Sequence, residues 1–169
     1  MSAYLILGLV LFLGIHSVRI FADDWREAQV ARLGLLPWKG VYALVSALGL
    51  GLIIWGYGQA RVDPVVLWLP PVWTRHLAAL LTLPAFILLV AAYLPGSHIK
   101  AKIGHPMVAG VKIWAFAHLI CNGTLADLLL FGSFLVWSVV MFATLRRRDR
   151  AAGAQRPAGS AARDAVAVV

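Results

Sequence analysis

The fold is decided by residues 103–123, which read IGHPMVAGVKIWAFAHLICNG. This stretch is apolar over a length that can enter a bilayer, yet it contains three ionisable side chains, His105, Lys112 and His118. An ionisable group at membrane depth costs roughly 2.5–3.5 kcal/mol or more, so it is tolerated chiefly where it faces a protein interior. The segment therefore predicts a membrane helix that packs within a bundle, and it marks a site on that helix.

The composition extends this interpretation to the whole chain. Of 169 residues, 62% are hydrophobic, against about 45–50% in ordinary soluble domains. The apolar blocks predict five transmembrane helices at about residues 3–21, 39–57, 74–94, 107–122 and 125–145, of which the fourth is short for a span that needs roughly 20 residues. We expect an all-α, polytopic membrane helix bundle of residues 1–147, embedded in the lipid bilayer, and a basic, disordered tail of residues 148–169.

The net charge of +8 is distributed as in a membrane protein rather than a nucleic-acid-binding protein. Six of the fifteen basic residues follow the last apolar block, where a basic segment can lie beside anionic lipid, so we expect no nucleic-acid partner. Twelve basic residues occupy the tail and the first and third connections, whereas two occupy the second connection. The positive-inside rule then places the N-terminus outside and the C-terminus in the cytoplasm.

His118 lies on a predicted ridge of the fourth span. Gly110, Trp114, His118 and Asn122 recur every four residues and so share one helix face. Gly110 permits a close approach, Trp114 supplies an aromatic wall, and the other two supply polar contacts. A histidine that is hydrogen-bonded to a neighbouring helix is the structural alternative.

The remaining candidates also have alternatives. His16 follows Phe12 by one turn inside the first apolar block. His76 opens the third span, where an interfacial histidine is common, and His105 precedes a proline at a helix start, where it can act as a cap. For Lys112 we expect either a snorkelling side chain or an anionic partner, for which Asp23 and Asp24 are candidates.

The ligand inventory favours haem over zinc. A neutral imidazole is the commonest metal ligand, but zinc usually takes three or four ligands that include Cys, Asp or Glu. The chain has one cysteine, Cys121, and few carboxylates near its apolar histidines. Haem b needs only one or two axial ligands, and its propionates are a further candidate for the anionic partner of Lys112. When each histidine is placed at its depth in the predicted bundle, His16 lies level with His105, and His76 lies level with His118. A displaced fourth helix would instead bring His16 level with His118.

Three runs of sequence resemble the NnrU family: GHPMVAGVKIWAFAHL at residues 104–119, FLGIHSVR at residues 12–19 and DDWR at residues 23–26. The resemblance extends over about residues 1–147. NnrU proteins are bacterial membrane proteins linked to nitrite and nitric-oxide reduction, and they are similar to 15-cis-zeta-carotene isomerase, which binds haem b through two histidines. The isomerase has a cysteine where this chain has Ala115, which puts ligand exchange of that kind in doubt.

The resemblance implies a haem b cofactor in a bacterial inner membrane protein, and the distribution of charge predicts that its N-terminus is periplasmic. Its axial metal ligands would be His16 and His118. The other cofactor-binding candidates are His76, His105, Trp114, Asn122 and Lys112.

Three functions are open at the level of the sequence. The first is an accessory protein or sensor in nitrite and nitric-oxide reduction, that is, in denitrification. The second is a haem-dependent cis-trans isomerase of a carotenoid-like lipid, which would be a hydrophobic small-molecule substrate. The third is a membrane methyltransferase, whose His-Pro-x-x-x-Gly motif is matched by His105, Pro106 and Gly110. The sequence does not indicate an oligomeric state.

Overall fold

The computed structural model describes residues 2–155 and 158–168, and the regular elements in these ranges are helices. In chain order they are α1 (Ser2–Phe21), α2 (Asp23–Leu33), α3 (Leu35–Ala60), α4 (Trp73–Tyr93), α5 (His98–Ile103), α6 (Pro106–Cys121), α7 (Leu125–Ala151) and α8 (Ala161–Val168). The prediction of an all-α membrane bundle is confirmed.

Four of the described helices, α1, α3, α4 and α7, are long and apolar enough to cross a membrane. The fifth apolar helix, α6, has 16 residues; at 1.5 Å per residue it spans about 24 Å, less than the ~30 Å of the hydrocarbon core. The five predicted blocks therefore correspond to α1, α3, α4, α6 and α7, and the fourth of them is short, as its sequence predicts. The chain is a multi-pass membrane protein.

The helix boundaries differ from the prediction in the connections. Helix α3 begins at Leu35, before Pro37, because a proline in the first turn of a helix lacks only an N–H that has no intrahelical partner there. Two further helices, α2 and α5, lie where the sequence predicts connections. Helix α5 is capped by Ser97, whose Oγ accepts a hydrogen bond from the N–H of Lys100 at 3.1 Å.

The chain divides into two compact units. The first contains the residues up to Leu67 together with Thr124–Ser133. In this unit α1 packs closely on α3 because glycines replace larger side chains at their contact: a Cβ on Gly49 would lie 2.7 Å from the N of Phe12, and a Cβ on Gly56 would overlap the backbone of Leu5. Small residues of this kind let membrane helices approach with their backbones in contact.

The second unit contains Trp68–Gly123 and the residues from Phe134 onward. Here α4 packs on α6 through small residues: Ala85, Ala91, Ala115 and Ala117 are fully buried. A Cβ on Gly110 would lie 2.8 Å from the carbonyl O of Ala85, so this glycine is required by helix packing.

Helix α8 lies in the segment predicted as a disordered tail, and it contacts α4 and α5. Residues 156, 157 and 169 of that segment are outside the described residues. The boundary of the bundle at residue 147 and the disorder of the tail stay predictions.

Candidate functional site

His16 lies in the second half of α1 with a half-buried imidazole. Its Nδ1 is 2.6 Å from the carbonyl O of Phe12, one turn earlier. Because a carbonyl only accepts hydrogen bonds, Nδ1 carries the proton, and in the neutral ring the lone pair lies on Nε2. A hydrogen bond from one ring nitrogen is what orients a metal-ligating histidine and fixes its tautomer. The Phe12 ring also stacks on the imidazole, with 4.2 Å between the ring centroids.

Helix α3 supplies the wall that faces this part of α1. The ring of Tyr42 lies 5.2 Å from the imidazole of His16, centroid to centroid, and Gly49 contacts Phe12. Ser46 lies between these two positions on the same face of α3. Its Oγ is buried and has no hydrogen-bond partner among the described residues. A buried hydroxyl without a partner is unusual in a native protein.

His118 lies one turn before the end of α6, beside the ring of Trp114. The Trp114 ring is 5.3 Å from the His118 ring, and Phe134 of α7 packs edge-on against Trp114 at 5.8 Å, both between centroids. The amide of Asn122 donates to the carbonyl O of His118 at 2.8 Å, and so it caps the C-terminus of α6. The structure therefore brings Trp114 and His118 together, while Asn122 has a capping role and Gly110 a packing role.

His105 and Lys112 meet around Phe142 of α7. The Nε2 of His105 is 2.9 Å from Oδ2 of Asp149, and its ring meets Phe142 edge-on with 6.4 Å between centroids. The Nζ of Lys112 lies 4.7 Å from the centre of the same ring, a cation–π contact. His105 occupies the N-cap position of α6, but its side chain makes no capping hydrogen bond; it pairs with Asp149.

His76 lies in the first turn of α4 with an exposed side chain. The segment before α4 bonds to the end of α6, since the N–H of Trp68 donates to the carbonyl O of Gly123 at 3.1 Å. His76 and His118 are therefore at the same end of the α4–α6 pair. Within residues 2–155 and 158–168, no group of three or more His, Cys, Asp or Glu side chains is arranged to hold a metal ion.

A polar cluster that the sequence analysis missed lies in the first unit. Asp127, which is 5% exposed, accepts hydrogen bonds from the Tyr57 hydroxyl at 2.6 Å and from the Thr124 hydroxyl and N–H at 2.6 and 3.0 Å. Its own N–H donates to the Thr124 hydroxyl at 3.2 Å. The sequence does carry a signal for the contact between Thr124 and Asp127, because Thr-x-x-Asp before an apolar run is a capping box. Tyr57, 70 residues away, has no such signal.

The comparison with known families covers nearly the entire chain: the model of the NnrU protein matches residues 4–169. The chain belongs to the NnrU family. The resemblance to the NnrU family is thereby confirmed. The runs 12–19 and 104–119, from which it was inferred, contain His16, His105, Lys112, Trp114 and His118. No curated protein and no solved structure matches the chain. The further likeness to the carotene isomerase stays a prediction.

Proposed function

We propose that this NnrU-family membrane protein binds haem b and acts as an accessory protein or sensor in nitrite and nitric-oxide reduction. The observation that carries the proposal is the imidazole of His16 within an apolar helix. Its Nδ1–H donates to the carbonyl O of Phe12 at 2.6 Å, which fixes the tautomer and orients the ring as in histidines that ligate a metal, and imidazole is a ligand of haem iron.

The residues around His16 fit such a group in their chemistry. Haem needs an apolar, aromatic environment with few polar contacts. Phe12 and Tyr42 supply rings at 4.2 and 5.2 Å from the imidazole centroid, and the buried Oγ of Ser46 supplies a polar contact that the described residues do not use. Phe12 and Tyr42 would hold the imidazole in one orientation and keep water away from it.

Two further residues, His118 and Lys112, would contribute a second ligand and a charge. His118, beside Trp114, is the candidate for the other axial position. Lys112 carries the positive charge that a propionate would need, and its ammonium already lies against the Phe142 ring. His105 is paired with Asp149, so we assign it a supporting role. When bound, haem b supplies a redox-active iron that can bind nitric oxide.

The experiment is an absorption spectrum of the full-length protein purified in detergent. We expect a low-spin haem b spectrum with a Soret band. His16→Gly and His118→Gly should each reduce haem retention several-fold, because each deletes an axial ligand, and added imidazole should restore part of the spectrum. His98→Gly is the matched control, since His98 is an exposed histidine of α5, and it should retain haem.

A colourless, folded protein without iron by elemental analysis would contradict the proposal. If His98→Gly lost haem to the same extent as His16→Gly, the assignment of His16 as a haem ligand would be wrong. Addition of nitric oxide separates the functions: a spectral shift supports the sensor, whereas conversion of a carotenoid-like lipid by the haem-loaded protein would favour the isomerase.

A further inference from the structure

The C-terminal segment lies on the turn between α4 and α5. The N–H of Ser160 donates to the carbonyl O of Gly96 at 2.9 Å, and Ser160 pairs with Ser97 as an isolated parallel bridge. Gly159 approaches the backbone of His98 so closely that a Cβ there would overlap it. The contact is therefore made by backbone against backbone, and it depends on a glycine.

Two adjacent side chains of α8 add specific contacts. Asp164 Oδ1 accepts hydrogen bonds from the Ser97 hydroxyl at 2.8 Å and from the N–H of Ile99 at 3.2 Å, and Oδ2 lies 3.7 Å from Nδ1 of His98. Arg163 donates to the carbonyl O of Pro95. Ser97 is 1% exposed, so its bond to the carboxylate is shielded from water, where a charge-assisted hydrogen bond is strongest.

The charge of Asp164 agrees with this geometry. Partial burial raises the pKa of Asp164, but the hydrogen bonds from Ser97 and Ile99 and the charge of His98 outweigh it, so the pKa lies below its usual value. A carboxyl whose pKa is lowered in the docked state stabilises that state above its ordinary pKa. This contribution is lost as the pH falls through the lowered pKa.

We propose that the α4–α5 turn, residues 95–99, is a recognition site for a peptide with adjacent basic and acidic side chains, and that residues 158–168 are its built-in occupant. The turn offers the carbonyls of Pro95 and Gly96 to a guanidinium and a backbone N–H, and it offers the Ser97 hydroxyl and the Ile99 N–H to a carboxylate. In the docked state the C-terminal segment excludes any other segment of this chemistry. The proposal does not depend on haem binding.

The order of the docked segment depends on its contacts with residues 95–99, because its helix is short. Helix α8 has eight residues, and isolated helices below about 12 residues are marginal in water, so the order of α8 depends on docking. Helix α5 leads through Gly104, which has a φ of +83°, to His105 at the start of α6. The segment docked on residues 95–99 therefore also restrains the connection between α5 and α6, which positions His105.

The test uses hydrogen exchange of the Ile99 amide in the full-length chain. Asp164→Asn deletes the charge, and we expect the amide to exchange about tenfold faster, because the N–H of Ile99 loses a charge-assisted acceptor. Asp63→Asn, an exposed carboxylate in another connection, is the matched control and should leave the exchange unchanged. A peptide of residues 158–168 at about 1 mM, the effective concentration of a short tether, should restore protection in Asp164→Asn. The same peptide with Asn at position 164 should not.

Unchanged exchange of Ile99 in Asp164→Asn would overturn the docking of the segment. Faster exchange that the natural peptide does not reverse would overturn the recognition site. Equal protection by both peptides would also contradict the proposal, because the carboxylate would then not be what the turn recognises.

Discussion

Lys112 shows how a single charge is accommodated on an apolar helix. Its ammonium lies 4.7 Å from the centre of the Phe142 ring, where it contacts the negative face of the aromatic quadrupole. A cation–π contact contributes about 0.5–1 kcal/mol at an exposed site and about 2 kcal/mol when the groups are desolvated. The Lys112 side chain is half-buried, so we expect its cation–π contact to contribute between these two values.

We therefore expect Lys112→Met and Phe142→Leu to be coupled. A double-mutant cycle, measured by chemical unfolding in detergent, should give a coupling free energy of about 0.5–2 kcal/mol. Lys102→Met is the control, because Lys102 is an exposed lysine of α5, and its effect should add to that of Phe142→Leu. Additive effects of Lys112→Met and Phe142→Leu would show that the ammonium does not depend on the ring, and would favour snorkelling.

At the scale of the helices, the α1–α3 contact predicts opposite effects for two glycines of the same helix. A Cβ on Gly56 would overlap the Leu5 backbone, whereas a Cβ on Gly58 would meet nothing within 4 Å. Gly56→Ala should therefore lower the free energy of unfolding by about 1–3 kcal/mol through overpacking. Gly58→Ala should raise it by up to about 1 kcal/mol, because alanine loses less backbone entropy. Thermal melting in detergent measures both, and equal shifts would contradict the close packing of α1 on α3.

The same unit contains an inter-helix hydrogen bond, in which the Tyr57 hydroxyl of α3 donates to Asp127 of α7. Tyr57→Phe removes one donor from a buried carboxylate, and we expect it to cost about 1.5–3 kcal/mol of unfolding free energy. Asp127→Ala should cost more, since it also leaves the Thr124 hydroxyl and N–H without their acceptor. Tyr93→Phe, at a tyrosine that is 76% exposed, should be neutral in the same unfolding assay. A neutral Tyr57→Phe would show that the hydroxyl does not stabilise the native state.

At the scale of the whole molecule, the orientation in the membrane is predicted from the distribution of charge. Twelve basic residues are expected on one side and two on the other, and the positive-inside rule assigns the larger group to the cytoplasm. A reporter fused after Arg150 should therefore behave as cytoplasmic, and one inserted after Asp63 as periplasmic. The reverse pattern would overturn the topology and, with it, the placement of the N-terminus outside.

The amino-acid sequence by itself determined the fold class and the positions of the five apolar helices. Hydrophobic length is a local property, and in a bilayer a segment of that length satisfies its backbone only as a helix. Contacts within one helix were equally predictable from the sequence, because residues four apart share a face. Phe12 contacts His16, and Trp114 contacts His118. The family resemblance was carried by the same local runs.

The tertiary structure alone decided which side chains meet across elements. His105 pairs with Asp149, 44 residues away, Lys112 with the Phe142 ring, and Asp164 with the α4–α5 turn. Helices that are apolar on all sides carry little periodic signal about which face is buried, so their sequences do not specify a partner or a register. The partner and the register of each helix are set by the packing of small residues, such as Gly49 and Gly110, against a neighbouring backbone. This packing exists only once the helices are assembled.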